Sequence, residues 1–178
     1  MICMTYLQPH CRETERCLFF EFRYQPAVAE VNSWNNSLRA VSQVFQTASL
    51  LDHGVLLELQ LPLTSERLDC LVTGYNRKKA ANAVIIELKQ WCGCKGASGK
   101  NEIATFVGGN TRDVLHPSVQ VSQYMTYFTD CHTAFQGGGG ISAQASSGLH
   151  NYSLAQDSVV NSEGKTLRLG ATLFSQVS

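Results

Sequence analysis

The amino-acid sequence predicts an α/β domain whose mixed central sheet is flanked by helices. Three observations carry that reading: an amphipathic helical pattern over 33–51, three short apolar runs between 55 and 89, and a second helical pattern that opens at Pro117 and leads into a weak strand. The order is helix, three strands, helix, strand, with no internal repeat.

Residues 1–30 have no clear period, and Pro26 interrupts the partial alternation before it, so this segment reads as irregular. From Val31 the signal sharpens. Asn32 or Ser33 can cap a helix, and Trp34, Leu38, Val41, Val44, Phe45, Ala48 and Leu51 recur at three- and four-residue steps. His53-Gly54 ends it. Residues 55–63 read as a strand, Thr64-Ser65-Glu66 as a turn, 68–73 as a second strand, and 74–79 as a polar hairpin connection. Residues 83–89 are a third strand, β-branched and apolar enough to lie centrally. Residues 92–101 and 106–113 read as loops. Pro117 suits the first turn of a helix, with Val121, Tyr124, Met125 and Phe128 on one side and Gly137 beyond its end. Residues 141–152 form a weak last strand. The expected organisation is an irregular segment 1–30, a domain 31–152, and an unassigned tail 153–178.

A chain of 178 residues with 44% hydrophobic content can bury a real core as one domain. Fourteen basic residues balance fourteen acidic ones, which excludes a polybasic binder held to nucleic acid by bulk charge. Any such contact must come from a local patch. No basic and then apolar leader opens the sequence, and no apolar run nears the ~18 residues of a membrane span. Seven cysteines at irregular spacings fit free thiols in a reducing, cytoplasmic setting.

The chemistry concentrates on three residues. Asp69 begins the second strand, and Glu87 and Lys89 end the third, two apart and therefore on one face. If those strands pair as a hairpin, Asp69 sits beside Glu87. Two carboxylates without His or Cys suit a hard cation such as Mg²⁺ or Mn²⁺. A lysine beside them can orient water or stabilise charge building on a phosphate. Both charges directly follow Val84-Ile85-Ile86, where a central strand must bury them or hold them in a site.

Arg67-Leu-Asp69, Ile86-Glu-Leu-Lys-Gln-Trp91 and the element order together resemble the PD-(D/E)XK nuclease superfamily. Gln120 and Tyr124 match the Gln-x-x-x-Tyr helix of its RecB-like branch. Ser33-Trp34, the Glu58–Pro62 strand, Phe106-Val-Gly-Gly109, Arg112–Pro117 and Leu149–Tyr152 are similar to the nuclease-like domain that precedes a helicase-type ATPase in one bacterial group. The resemblance spans about 31–152. It implies a restriction-endonuclease-like αβββαβ core and metal-dependent hydrolysis of phosphodiester bonds in DNA or RNA. Asp69 and Glu87 would hold Mg²⁺ or Mn²⁺, Lys89 would position or activate water, and Gln120 and Tyr124 would shape the phosphate site. The expected partners are nucleic acid, chiefly DNA, and a helicase-type ATPase. The alternative is a catalytically inactive module of the same fold that binds nucleic acid or such a partner.

The sequence departs from the family pattern in two places. Leu68 stands where the first motif often has proline, and the expected helix from Trp34 to Leu51 contains no acid. Glu58 is either a substitute metal ligand or a solvent-facing strand residue. Gln120 and Tyr124 lie one turn apart, but Gln123 and Tyr127 repeat that spacing. Arg77, Lys78 and Lys79 are either a solvated turn or a phosphate contact, and Lys95 and Lys100 sit on a Gly/Ser-rich loop that could touch nucleic acid. That loop lacks the glycine and the Ser/Thr of a phosphate-binding loop. Cys92-x-Cys94 with Cys131-His132 has the wrong spacing for zinc, so free thiols are expected. His116 reads as a cap.

Overall fold

The computed structural model describes residues 2–4, 27–50, 53–62, 64–137, 139–149, 151, 159–160 and 166–167. In chain order they form β1 (Ile2–Met4), α1 (Val28–Thr47), β2 (Gly54–Gln60), β3 (Arg67–Tyr75), β4 (Ala81–Lys89), β5 (Cys94–Gly96), β6 (Glu102–Val107), β7 (Asn110–Leu115), α2 (Pro117–Cys131), a short 3₁₀ turn (Thr133–Phe135), β8 (Ser142–Leu149), β9 (Val159–Val160) and β10 (Thr166–Leu167). No helix among them is long and apolar enough to cross a membrane.

A five-stranded sheet, β1-β2-β3-β4-β8, forms the middle layer. The first four strands pair antiparallel, and β8 runs parallel to β4, so the sheet is mixed. On one face Val41 and Phe45 of α1 pack on Val55, Leu57, Cys70 and Val72. On the other, Val121, Tyr124 and Phe128 of α2 pack on Leu68, Leu71, Ala83, Ile85 and Ala145. The sheet is buried on both faces, which is why β4 reads as a continuous apolar run. Leu57, Leu61, Leu68, Ile85 and Val121 lie essentially out of water, each contributing roughly 1.5–3 kcal/mol of burial.

Several expectations are corrected. The first helix begins at Val28 rather than Ser33, its N-cap is Ala27 with no side-chain cap, and it ends at Thr47. Helix α1 therefore carries an acid, Glu30. Residues 2–4 of the supposedly irregular start form an edge strand beside β2.

The two expected loops, 92–101 and 106–113, instead belong to a three-stranded antiparallel sheet, β5-β6-β7. Both residues of its hairpin turn, Gly108 (φ 61°) and Gly109 (φ 84°), are left-handed. Such a turn matches the natural twist of a two-residue hairpin and needs glycine-like freedom. Ile103, Cys94 and Leu149 bury together against Trp91 and Val114, fixing the small sheet to the end of β4 and β8. Leu51, Leu63 and Tyr152, expected at element ends, and most of the tail 153–178 lie outside the described residues.

Candidate active site

The site forms where β2 and β3 lose their regular alternation, beside the end of β4. Val55 and Leu57 face α1 with Cys70 and Val72, whereas Leu59 and Leu61 face α2 with Leu68 and Leu71. Both strands exchange faces at one step. At that step the β2–β3 register passes from Leu57↔Cys70 to Leu59↔Leu68, with Glu58 and Asp69 opposite each other but unpaired. Glu58 has φ 52°, a left-handed conformation that is strained for a residue with a side chain. The break turns both carboxylates into a cleft beneath the start of α1. That cleft encloses about 160 Å³ and is lined by Glu30, Ser33, Trp34, Arg67 and Leu88 besides Glu58 and Asp69.

The β3–β4 ladder stops one residue short of the same place, at Cys70↔Ile86. In place of a ladder bond, the Leu88 N–H donates to Asp69 Oδ2 at 2.7 Å. Glu87 follows Ala83 and Ile85 on the α2 side and is 2% exposed. Lys89 Nζ donates to Glu87 Oε1 at 2.5 Å and lies 5.7 Å over the Trp91 ring. Glu87 Oε2 is buried with no hydrogen-bond partner.

Burial sets the electrostatics. It pushes the Glu87 carboxyl up to about 7, with Asp69 beside it adding to the rise while Lys89 and Gln120 pull it down. Glu58 is also raised to about 7 by burial, against the pull of Arg67 and with a further push from Asp69, Glu30 and Glu87. Asp69 is raised by burial in spite of the Leu88 N–H, Lys89 and Arg67. Three neighbouring carboxylates thus resist ionising together, and a cation beside them would relieve that cost.

Arg67 supplies part of the relief. Its Nε lies 2.6 Å from Glu58 Oε2, its Nη2 donates to Glu30 at 2.8 Å, and its guanidinium sits 6.0 Å over Trp34. The first helix is anchored over the site by Gln90, whose Nε2 donates to Ser33 Oγ at 2.7 Å and also reaches Ser37 Oγ.

Helix α2 delivers the remaining groups. Gln120 Nε2 donates to Tyr124 Oη at 2.7 Å. Tyr124 is buried, and its hydroxyl is pushed up to about 12 by desolvation, so it stays protonated. The repeated pair has a different fate: Gln123 is exposed, and the Tyr127 hydroxyl donates to the Pro62 carbonyl at 2.5 Å. His116 caps α2, its Nδ1 accepting from the Ser118 N–H.

The structure therefore brings Asp69, Glu87, Lys89, Glu58, Gln120 and Tyr124 to one end of the sheet, with Asp69 and Glu58 opening toward α1 and Glu87 toward α2. It does not bring Arg77, Lys78 and Lys79 there. They occupy the turn at the opposite end of β3 and β4, about 20 Å from Glu87 at the usual strand rise. Lys95 and Lys100 lie with the small sheet at the site end. Glu30 and the bridging role of Arg67 were not anticipated, although Pro26 followed by a regular apolar step from Val31 could have pointed to a helix starting before Glu30.

Cys70 and Cys94 are buried and Cys92 and Cys131 exposed, all as free thiols. Among the described residues no three His, Cys, Asp or Glu side chains gather as a ready ligand group. The donor set nonetheless has the right chemistry for a hard divalent cation: carboxylate oxygens only, one of them buried and unpartnered. Asp69 and Glu87 could hold one together only with one of the two side chains turned to the other's side of the sheet, since Asp69 opens toward α1 and Glu87 toward α2. Comparison with protein-family models, with curated proteins and with solved structures gives no match.

Proposed function

We propose that this protein is a metal-dependent nuclease of PD-(D/E)XK type with a restriction-endonuclease-like core, hydrolysing phosphodiester bonds in nucleic acid, chiefly DNA. The observation that carries the reading is the gathering of Asp69, Glu87 and Lys89 where the sheet ladder breaks, with Glu87 Oε2 buried and unpartnered. Mg²⁺ or Mn²⁺ held by Asp69 and Glu87 would offset charge on the phosphate and lower the pKa of a bound water. Lys89 keeps its ammonium beside the reacting phosphorus and stabilises the negative charge that grows as water oxygen adds and the sugar oxygen leaves. Gln120, hydrogen-bonded to Tyr124, stands on the α2 side where it favours the charged form of Glu87. Arg67 restrains Glu58 and limits the repulsion that Asp69 feels.

A second reading is the inactive module that binds nucleic acid or a helicase-type ATPase. The closure of Lys89 on Glu87 and of Arg67 on Glu58 and Glu30 favours it, because these charges are already satisfied internally. Cleavage assays separate the two. Single- and double-stranded DNA and RNA are incubated with the wild type, Asp69→Asn and Glu87→Gln, in Mg²⁺, Mn²⁺ or EDTA. Cleavage by the wild type only, and only with metal, supports the nuclease. Cleavage in EDTA or by either variant contradicts the metal site, and binding without cleavage installs the second reading.

A further inference from the structure

The two cations of the site sit on opposite sides of the sheet. Lys89 closes on Glu87, which lies 2% exposed under α2. Arg67 stands at the mouth of the α1-side cleft, where its Nη2 meets Glu30 on α1 and its Nε meets Glu58 on β2. Asp69 lines the same cleft. Side-chain exposure falls from 32% at Arg67 through 23% at Glu30 to 9% at Glu58. The guanidinium thus covers the deeper carboxylate from the solvent side.

The helix end that Arg67 ties down has little of its own to hold it. Helix α1 starts after Ala27 with no side-chain cap, and Val28 is 78% exposed. A helix start without a capping side chain leaves its first N–H groups to water and is less stable for it. One turn further in, Gln90 fixes the helix by reaching Ser33 and Ser37 from the position after Lys89. Glu30 therefore lies on the uncapped side of a fixed point. An ion pair this exposed is weakly held, and a doubly charged ion attracts the same carboxylates twice as strongly at equal distance.

We propose that the Glu30–Arg67–Glu58 bridge is a latch on metal loading, in which a divalent cation displaces Arg67 from Glu58 and frees the first turn of α1. The proposal rests on the reading of Asp69 and Glu87 as the residues that hold that cation. With the latch shut, the Arg67 charge stands in the cleft with Asp69 and opposes a second cation. With it open, Glu58 and Asp69 both face the incoming ion. Arg67 is a positioning residue, acting through the carboxylates.

The two tryptophans of the chain report the two cations separately. Trp34 lies 6.0 Å from the Arg67 guanidinium, and Trp91 lies 5.7 Å from Lys89 Nζ. In a Trp91→Phe background, Trp34 fluorescence follows the latch. Mg²⁺ titrated at pH 8 should shift that emission to saturation, and Arg67→Met should abolish the shift. Mn²⁺ binding, read by electron paramagnetic resonance on the full chain, should tighten by about 10-fold in Arg67→Met, because one neighbouring unit charge is gone. The metal-free Tm of that variant should fall and recover with Mn²⁺. Equal or weaker Mn²⁺ binding by Arg67→Met overturns the latch and leaves Arg67 a strut. If that variant does not fold, the Trp34 titration with the native arginine decides. Mn²⁺ binding by the wild type with Trp34 unmoved by Mg²⁺ removes the latch only. No Mn²⁺ binding by either protein removes the metal reading as well.

Discussion

The two ends of the central sheet carry opposite kinds of charge chemistry. At the β3–β4 turn, Arg77, Lys78 and Lys79 are all exposed around a tight loop closed by Asn76, whose side chain accepts from the Lys78 and Ala80 N–H groups at 2.9 and 3.1 Å. At the other end, Glu58, Asp69 and Glu87 are largely removed from water and cross-tied to Arg67 and Lys89, while each end has one left-handed residue, Glu58 (φ 52°) here and Lys79 (φ 58°) at the turn. Water supports the first set at almost no cost. The second set persists only because partners hold it, which is the usual mark of a site rather than of a surface. A balanced net charge conceals this division.

The sharpest break in that comparison comes from Lys89. Lys89→Met keeps the aliphatic stem and removes the charge, so an active enzyme should lose about 10²–10³ in kcat with substrate affinity much less affected. Lys78→Met, the same change at the far turn, should alter neither. Steady-state kinetics on a cleaved substrate checks both.

The next effect is on stability. Glu87 and Glu58 titrate near 7 in the folded protein against an ordinary 4.5, so the fold holds their protons more tightly than the unfolded chain does. Their contribution is fully present below pH 4.5 and is lost as pH rises through about 7. Metal-free Tm should therefore fall between pH 5 and pH 8. Glu87→Gln should flatten that fall and raise stability at pH 8 by on the order of 1–3 kcal/mol. Neutralising Arg77, Lys78 and Lys79 should leave the pH profile intact. Thermal melts across that pH range decide it.

How much of this was legible in the sequence depended on period. The middle of α1, strands β2–β4, α2 and β8 follow regular apolar spacing, so their existence could be read. Strand β7 is six residues long and almost wholly exposed, and β6 buries only Ile103 and the polar Thr105, so neither shows an apolar alternation. Gly108-Gly109 was visible, but as a loop signal rather than a hairpin turn. Asp69, Glu87 and Lys89 were found because charge directly following Val84-Ile85-Ile86 is costly. The face exchange at Glu58 was invisible, since Leu57-Glu58-Leu59 looks like ordinary alternation and only the φ of Glu58 breaks it.

The smallest expected effect concerns phosphate contacts. With Lys95 and Lys100 at the site end, changing both to Gln should reduce the salt slope of duplex DNA binding by up to about 2, at roughly 0.9 per phosphate. Changing Arg77, Lys78 and Lys79 should leave that slope as it is, because their turn lies at the other end of the sheet. Binding measured over a range of salt concentrations compares the two directly.

The most direct measurement of the central claim is Mn²⁺ binding by electron paramagnetic resonance, titrated at pH 6 and pH 8 with the metal alone. Wild type should show a saturable site that tightens with pH, because the proton on Glu87 must leave before its carboxylate can coordinate. Asp69→Asn and Glu87→Gln should each abolish it, and the Arg77, Lys78 and Lys79 variant should retain it in full. Equal Mn²⁺ binding by wild type and Glu87→Gln, or no site in the wild type at pH 8, would contradict the account.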